Sequence, residues 1–398
     1  MIPEDDILCL LLIQAIKDDE ERKNLFRESL TIAERRLRSG KIRRGALLPP
    51  SQSAFMFLYN SGQDDALVTL CGFDHASFSA LLALFEPIFN DYSPYSSSAG
   101  GGLIKALKRR DKKLGRPRGV TAVIVLGLVL TWTRTKGSNK ILQVIFGLTH
   151  NPTSLWIRFG RRAIVKVLRD HPQARVEMPS TDELEVFVEA INVKYPCLTD
   201  VWGAMDGLKL LLECAGDEET QNVFYNGWTH DHYVSNLFLF SPDGKIRKMF
   251  INAPGCWHDS TLGNTSGMYP ALDAVFESRG GRVVADSAFS QVRSRAILKS
   301  HKNIVDRDGN IRVSRAIFRA ATSVRQMSEW GMRGLQGSFP RLKDRLQYEE
   351  RGERRIILLL VALLYNFRAE TVGQNQIQST FMPFLKLDVA NFILGYGD

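Results

Sequence analysis

The sequence predicts an α/β domain preceded by an all-α, helix-turn-helix-like module. Residues 201–212, 233–240 and 245–251 are apolar runs of strand length, and the last two are joined by the turn Ser241-Pro242-Asp243-Gly244. A helical pattern at 270–279, a short strand pattern at 282–285 and a long helical stretch at 314–336 follow, which is an α/β order. Upstream, residues 120–168 hold three helix-like stretches and no strand pattern.

Composition supports a folded chain. Of 398 residues, 44% are hydrophobic and 24% charged, which excludes wholesale disorder and collagen-like or low-complexity classes. The net charge of +9 is unevenly spread. Residues 103–180 carry 17 Lys/Arg against 3 Asp/Glu, a net of +14, so the remainder is mildly acidic. A basic segment of this kind suits an anionic partner. The five cysteines include no C-x-x-C pair, so neither a disulfide framework nor a cysteine zinc site is encoded, and a reducing compartment is expected. The apolar run at 7–16 follows three acids instead of a basic region, so it reads as a helix and not as a signal peptide. The longest apolar run, 356–364, falls short of the roughly 20 residues that span a bilayer. A soluble intracellular protein with no membrane partner is the expectation.

Taken in order, residues 1–95 mix short helical patterns and carry no interpretable motif. The serine- and glycine-rich stretch at 93–102 is a linker, and eight lysines and arginines follow between Lys105 and Arg118. Within that run Gly115-Arg116-Pro117-Arg118-Gly119 has the form of an AT-hook core, whose arginines enter a narrow minor groove. Helices are expected at 120–134 and 139–146. A third opens with Asn151 as N-cap and Pro152 at the first helical position, and runs to about Leu168. Arg158, Arg161, Arg162, Lys166 and Arg169 crowd this last helix, so phosphate contact is expected of it. Residues 172–180 form a connector, and 181–193 a helix with acids in its first turn.

Acids stand where strands end. Asp206 lies in or at the edge of the first strand, Asp259 after the third and Asp286 at the end of the fourth, while Glu329 lies on the late helix. A carboxylate in an apolar strand is costly to bury unpaired, and two such strands in one domain invite a shared cation. Mg²⁺ or Mn²⁺, hard ions that prefer oxygen ligands, fit this set. Local pairing competes with that reading: Asp259 precedes Ser260-Thr261 as a helix cap would, and Glu329 has Arg325 and Arg333 one turn away on either side. The stripe Ile317, Ala321, Val324, Ser328, Gly331, Leu335 lets the late helix pack closely on a sheet and puts Glu329 at the sheet edge. His230, His232 and His258 are better read as hydrogen-bonded residues than as a zinc site. There is no glycine-rich phosphate loop with lysine and no Gly-x-Ser-x-Gly, which removes support for an NTPase or a serine hydrolase.

Five motifs in order, Ala204-Met205-Asp206-Gly207, the run 221–233 (QNVFYNGWTHDHY), the run 254–260 (PGCWHDS), Ala285-Asp286-Ser287-Ala288-Phe289 and the run 325–333 (RQMSEWGMR), resemble the DDE nuclease domain of Harbinger/PIF-type transposases. The resemblance covers roughly 120–375. It implies an RNase H-like fold whose acids bind Mg²⁺ or Mn²⁺ and cleave DNA at transposon ends. By motif, Asp206 matches the first acid, Asp259 the acid of the His-Asp-Ser motif, Asp286 that of the Gly-Asp-x-Gly-Tyr motif, and Glu329 the helical glutamate. Here the fourth-strand motif has lost both glycines and the tyrosine. Strand order favours Asp286 as the second aspartate and motif spacing favours Asp259, so both stay candidates.

The resemblance also implies a nuclear protein with DNA as substrate, a possible Myb-like DNA-binding partner and a homo-oligomer. The expected division is 1–95 of unknown role, 96–119 a basic linker, 120–178 the helix-turn-helix-like module, 179–375 the nuclease domain and 376–398 a tail. The rival expectation is a domesticated transposase that binds DNA or assembles with proteins without cutting. A hydrolase built on His258 and Asp259 lacks a nucleophile.

Overall fold

The computed structural model describes residues 4–38, 41–95, 107–110, 118–289, 293–300, 315–348 and 351–383. Arg116 of the expected AT-hook lies outside them. Eight α-helices precede the first strand among the described residues: α1 (Glu4–Arg38), α2 (Ala54–Asn60), α3 (Asp64–Cys71), α4 (His75–Asp91), α5 (Ala122–Arg134), α6 (Lys140–Phe146), α7 (His150–Leu168) and α8 (Thr181–Lys194). Side chains close several of their open ends. Asp74 accepts the Ser77 amide at the start of α4, and Ser180 and Glu183 form a reciprocal capping box on α8. Gly147 ends α6 at φ 64°, and any β-carbon there would meet the Leu48 carbonyl.

α5 is buried over nearly its whole length, and α7 packs against both α4 and α5. The start of α7 differs from expectation: Thr149 occupies the cap position and Pro152 falls within the first turn, where its missing N–H leaves no bond unmade. Its apolar surface is also wider than a one-sided stripe. Trp156, Ile157, Phe159, Gly160, Ala163 and Ile164 are all buried, because α13 (Arg351–Thr371) covers α7 from a second direction.

The sheet contains β1 (Val201–Leu211), β2 (Tyr225–Asn226), β3 (Asp231–Phe240), β4 (Ile246–Pro254), β5 (Arg282–Ala285) and β6 (Ile297–Lys299). Its order is β2, β3, β1, β5, β6, with β4 also paired to β3. β1, β3 and β4 run antiparallel in sequence, and β5 and β6 then add parallel to β1. The helices α9 (Glu218–Phe224), α10 (Asp259–Thr265) and α11 (Met268–Arg279) fill the connections. α12 (Arg315–Ser338) crosses one face of β1, β3 and β5. Gly331 permits that approach, since a β-carbon there would stand 2.5 Å from the Phe240 ring.

Packing continues through the expected boundaries at 95 and 178. The Arg368 Nε–H of α13 donates to Gly72 O at 2.9 Å, and Arg134 Nη1 donates to Ser338 O at 3.0 Å. Asn366 binds both Ile246 backbone groups and donates to Arg175 O. The segment after residue 375 opens with another helix, α14 (Gln376–Phe381), capped by Asn375 and packed on α12 and α8. No single described helix is long and apolar enough to cross a membrane.

Candidate active site

Asp206 sits mid-way along β1, paired across the ladder with Phe238, on the face that meets α12. β1 and β5 run parallel with Ala204 beside Val284; two residues further on come Asp206, within β1, and Asp286, the first residue past the end of β5. The parallel register therefore brings these two acids to neighbouring positions where β5 ends beside the middle of β1. On α12, Val324 and Ser328 are buried against the sheet, and Arg325 and Glu329 each follow one of them, at the rim of the contact. Arg325 links the two elements: its guanidinium lies 2.8 Å from Glu329 Oε1 and 3.8 Å from Asp206 Oδ2.

Asp259 comes from the other side. It opens α10, with His258 in the cap position. Its carboxylate packs against Gly207, 2.8 Å from where a Gly207 β-carbon would stand. Strand alternation points that position away from α12. Lys209 shares the Gly207 face and acts on Asp259 rather than on Asp206.

The electrostatics record crowding. Burial pushes the Asp206 carboxyl up to about 6, despite a bond from the Gly207 amide and the pull of Arg325, and the charges of Asp259 and Asp286 add to the rise. Asp259 is raised as well, chiefly by burial and then by Asp286, against the opposing pull of Lys209 and His258. Asp206 and Asp259 are thus both disfavoured as charged groups, a situation that a hard cation relieves. Asp206, Asp286 and Glu329, with Asp259 behind Gly207, fit such an ion in kind. Among the described residues no three such side chains stand as a ready cage, and Arg325 holds two of the four carboxylates.

The histidines do not converge. His230 contacts the Tyr225 hydroxyl, His232 is buried with Nδ1 3.5 Å from Cys214 Sγ, and His258 is exposed beside Asp259.

The basic residues expected to meet phosphate separate into two groups. Arg161 and Arg162 turn inward and share Glu353 of α13. Arg118 donates to the carbonyls of Phe89 and Tyr92 and lies 4.2 Å over the Phe89 ring, where burial pushes its guanidinium down to about 10. These three serve the packing of the helices and are not presented to a DNA surface. Arg158 and Lys166 remain exposed on α7. Sequence reasoning treated Arg325 only as a surface pair for Glu329 and missed its reach to Asp206. It also gave no role to Gly207, although a glycine beside a strand aspartate was the available signal.

No curated protein and no solved structure matches the chain. Residues 205–366, which contain all four acids, match the family model described as DDE superfamily endonuclease, and this supports a DDE transposase-type nuclease.

Proposed function

We propose that the protein is a divalent-metal-dependent DNA endonuclease of the Harbinger/PIF transposase type, acting in the nucleus on transposon ends. The observation that carries the proposal is that Asp206 and Asp286 come from the adjacent parallel strands β1 and β5, with Glu329 of α12 linked to Asp206 through Arg325, all within the family-matched region. The sheet order, three antiparallel strands extended by two parallel ones with a helix across the face, supports an RNase H-like reading. The short connection between α6 and α7 supports a helix-turn-helix-like reading of that stretch.

In the mechanism, Asp206, Asp286 and Glu329 would hold Mg²⁺ or Mn²⁺, and Asp259 would anchor the site from behind Gly207. The bound metal supplies Lewis acidity that activates water and stabilises the leaving 3′ oxygen of a phosphodiester. The chain's own groups set the site. β1 carries Asp206, the end of β5 delivers Asp286 in the next position, α12 carries the glutamate, and Lys209 balances part of the charge at Asp259. Arg325 holds Asp206 and Glu329 facing each other. At the same carboxylates the freed 3′-OH would attack a target phosphodiester, forming a new P–O bond as the target's own 3′ oxygen leaves and takes up the proton. A Myb-like partner and a homo-oligomer belong to the same proposal.

The engagement of Arg325 with two of the acids favours a second reading, a domesticated transposase that binds DNA without cutting it. The test is nicking of DNA carrying candidate terminal repeats with Mg²⁺ or Mn²⁺. Cleavage lost in both Asp206→Asn and Glu329→Gln supports the nuclease. Cleavage intact in both overturns the carboxylate scheme, and salt-sensitive binding with no cleavage by the wild type favours the second reading.

A further inference from the structure

A pocket of about 220 Å³ opens between the last turns of α12, the end of α13 and the start of α14. Arg333, Ser338, Tyr365 and Arg368 line it, and among the described residues no carboxylate does. Arg333 is exposed and has no hydrogen bond or ion pair among the described residues. Arg368 is half-buried, and its described partners are all neutral: Gly72 O at 2.9 Å, Gln374 Oε1 at 2.8 Å, and Ser338 Oγ and Gln374 O at 3.4 Å. Arg134 stands beside it and is likewise held by neutral oxygens, those of Thr69 and Ser338. Burial pushes the Arg368 guanidinium down, and the charge of Arg134 pushes it further.

The pocket also holds an unspent donor. Tyr365 is 6% exposed; its hydroxyl oxygen accepts from Asn375 Nδ2 at 3.4 Å, and no described group accepts its proton. Two guanidiniums therefore crowd each other with no described carboxylate paired to either, a third reaches the pocket, and a buried hydroxyl faces the same space. Like charges gathered in this way are relieved by an ion of opposite sign. A tetrahedral oxyanion suits the donors: guanidinium forks take its oxygens in pairs, and the hydroxyls donate to the remainder. Arg333 follows Glu329 by one turn of α12, ~6 Å along the axis at ~1.5 Å per residue.

We propose that this pocket binds a phosphate-class oxyanion, with Arg333 and Arg368 as its cationic ligands and the Ser338 and Tyr365 hydroxyls as further donors. The anion is either a free phosphate or a backbone phosphate of DNA; only that second probe is taken from the nuclease reading, and EDTA is present throughout, so the outcome does not depend on cleavage. The full-length chain is melted in ~10 mM inorganic phosphate and in NaCl of equal ionic strength. Phosphate should raise the wild-type thermal midpoint by about 2 °C, and by less than half of that in Arg333→Ala. Gln374→Glu sets a carboxylate against the Arg368 fork from an exposed position, so it should raise the midpoint in NaCl by about 1 °C and abolish the phosphate effect. A duplex is then titrated at several salt concentrations. A slope of log affinity against log salt that falls by about 0.9 in Arg333→Ala, one phosphate contact, assigns the site to the DNA backbone, and an unchanged slope assigns it to the free anion. No phosphate effect in the wild type, or an undiminished effect in either variant, overturns the site.

Discussion

The Asp259 carboxylate occupies the space that a side chain on Gly207 would fill, with Oδ1 2.8 Å from an ideal β-carbon at that position. Gly207→Ala therefore displaces the carboxylate and not the strand. The expected result is a loss of metal-dependent nicking of about tenfold or more, with a thermal midpoint within a few degrees of wild type, since only a side-chain end has to move. A wild-type nicking rate would show that the place of Asp259 is immaterial to the reaction.

Arg325 pairs with Asp206 and Glu329, so at the proposed metal site it would compete with a divalent cation for both. In Arg325→Ala, Mn²⁺ should bind roughly fivefold more tightly by calorimetry, the scale of a partly exposed ion pair worth about 1 kcal/mol. Weaker binding would mean that Arg325 aligns the carboxylates more than it neutralises them.

Glu353 is shared by Arg161 and Arg162, with side-chain exposures of 15%, 10% and 7% in that order. Glu353→Gln removes the carboxylate common to both guanidiniums, and unfolding in urea should show a loss of about 3–5 kcal/mol. A loss below about 1 kcal/mol would place the pair among surface contacts.

Glu183 provides a pH test away from the acids of the site. Burial pushes its carboxyl up, but the Ser180 amide and Arg247 outweigh burial and hold it below the usual glutamate value. Its folded pKa is thus lower than its unfolded one, so its contribution to stability is present above the unfolded value and is lost as pH falls through the folded one. The acid-side decline in thermal midpoint should be shallower in Glu183→Gln. Parallel declines in the two proteins would remove Glu183 as its source.

The strands and the late helix were legible because their signals are local. Residues 282–285 form β5 as expected, and Ala321, Val324, Ser328, Gly331 and Leu335 are buried along α12 as their spacing implies. β6 was missed because its three residues are too few to show a period. The inward turn of Arg161 and Arg162 was invisible for another reason. Their partner Glu353 lies about 190 positions away in sequence, and a count of positive charge along one helix carries no information on which face a distant helix will cover. The site followed the same division. Each acid stood in a recognisable local run, whereas the Arg325 reach to Asp206 and the fit of Asp259 on Gly207 exist only after the strands have paired.

The clasp of α7 by α13 has a consequence for scale. Helices and sheet share one core, so Arg158 and Asp206 cannot drift apart as beads on a string would. Asp206 and Leu212, whose carbonyl Arg345 holds just past the end of β1, are six steps apart along the chain, a span of ~20 Å at ~3.3 Å per extended residue. Whatever α7 presents therefore stands at a set distance from the acids, as the jaws of a locked caliper do.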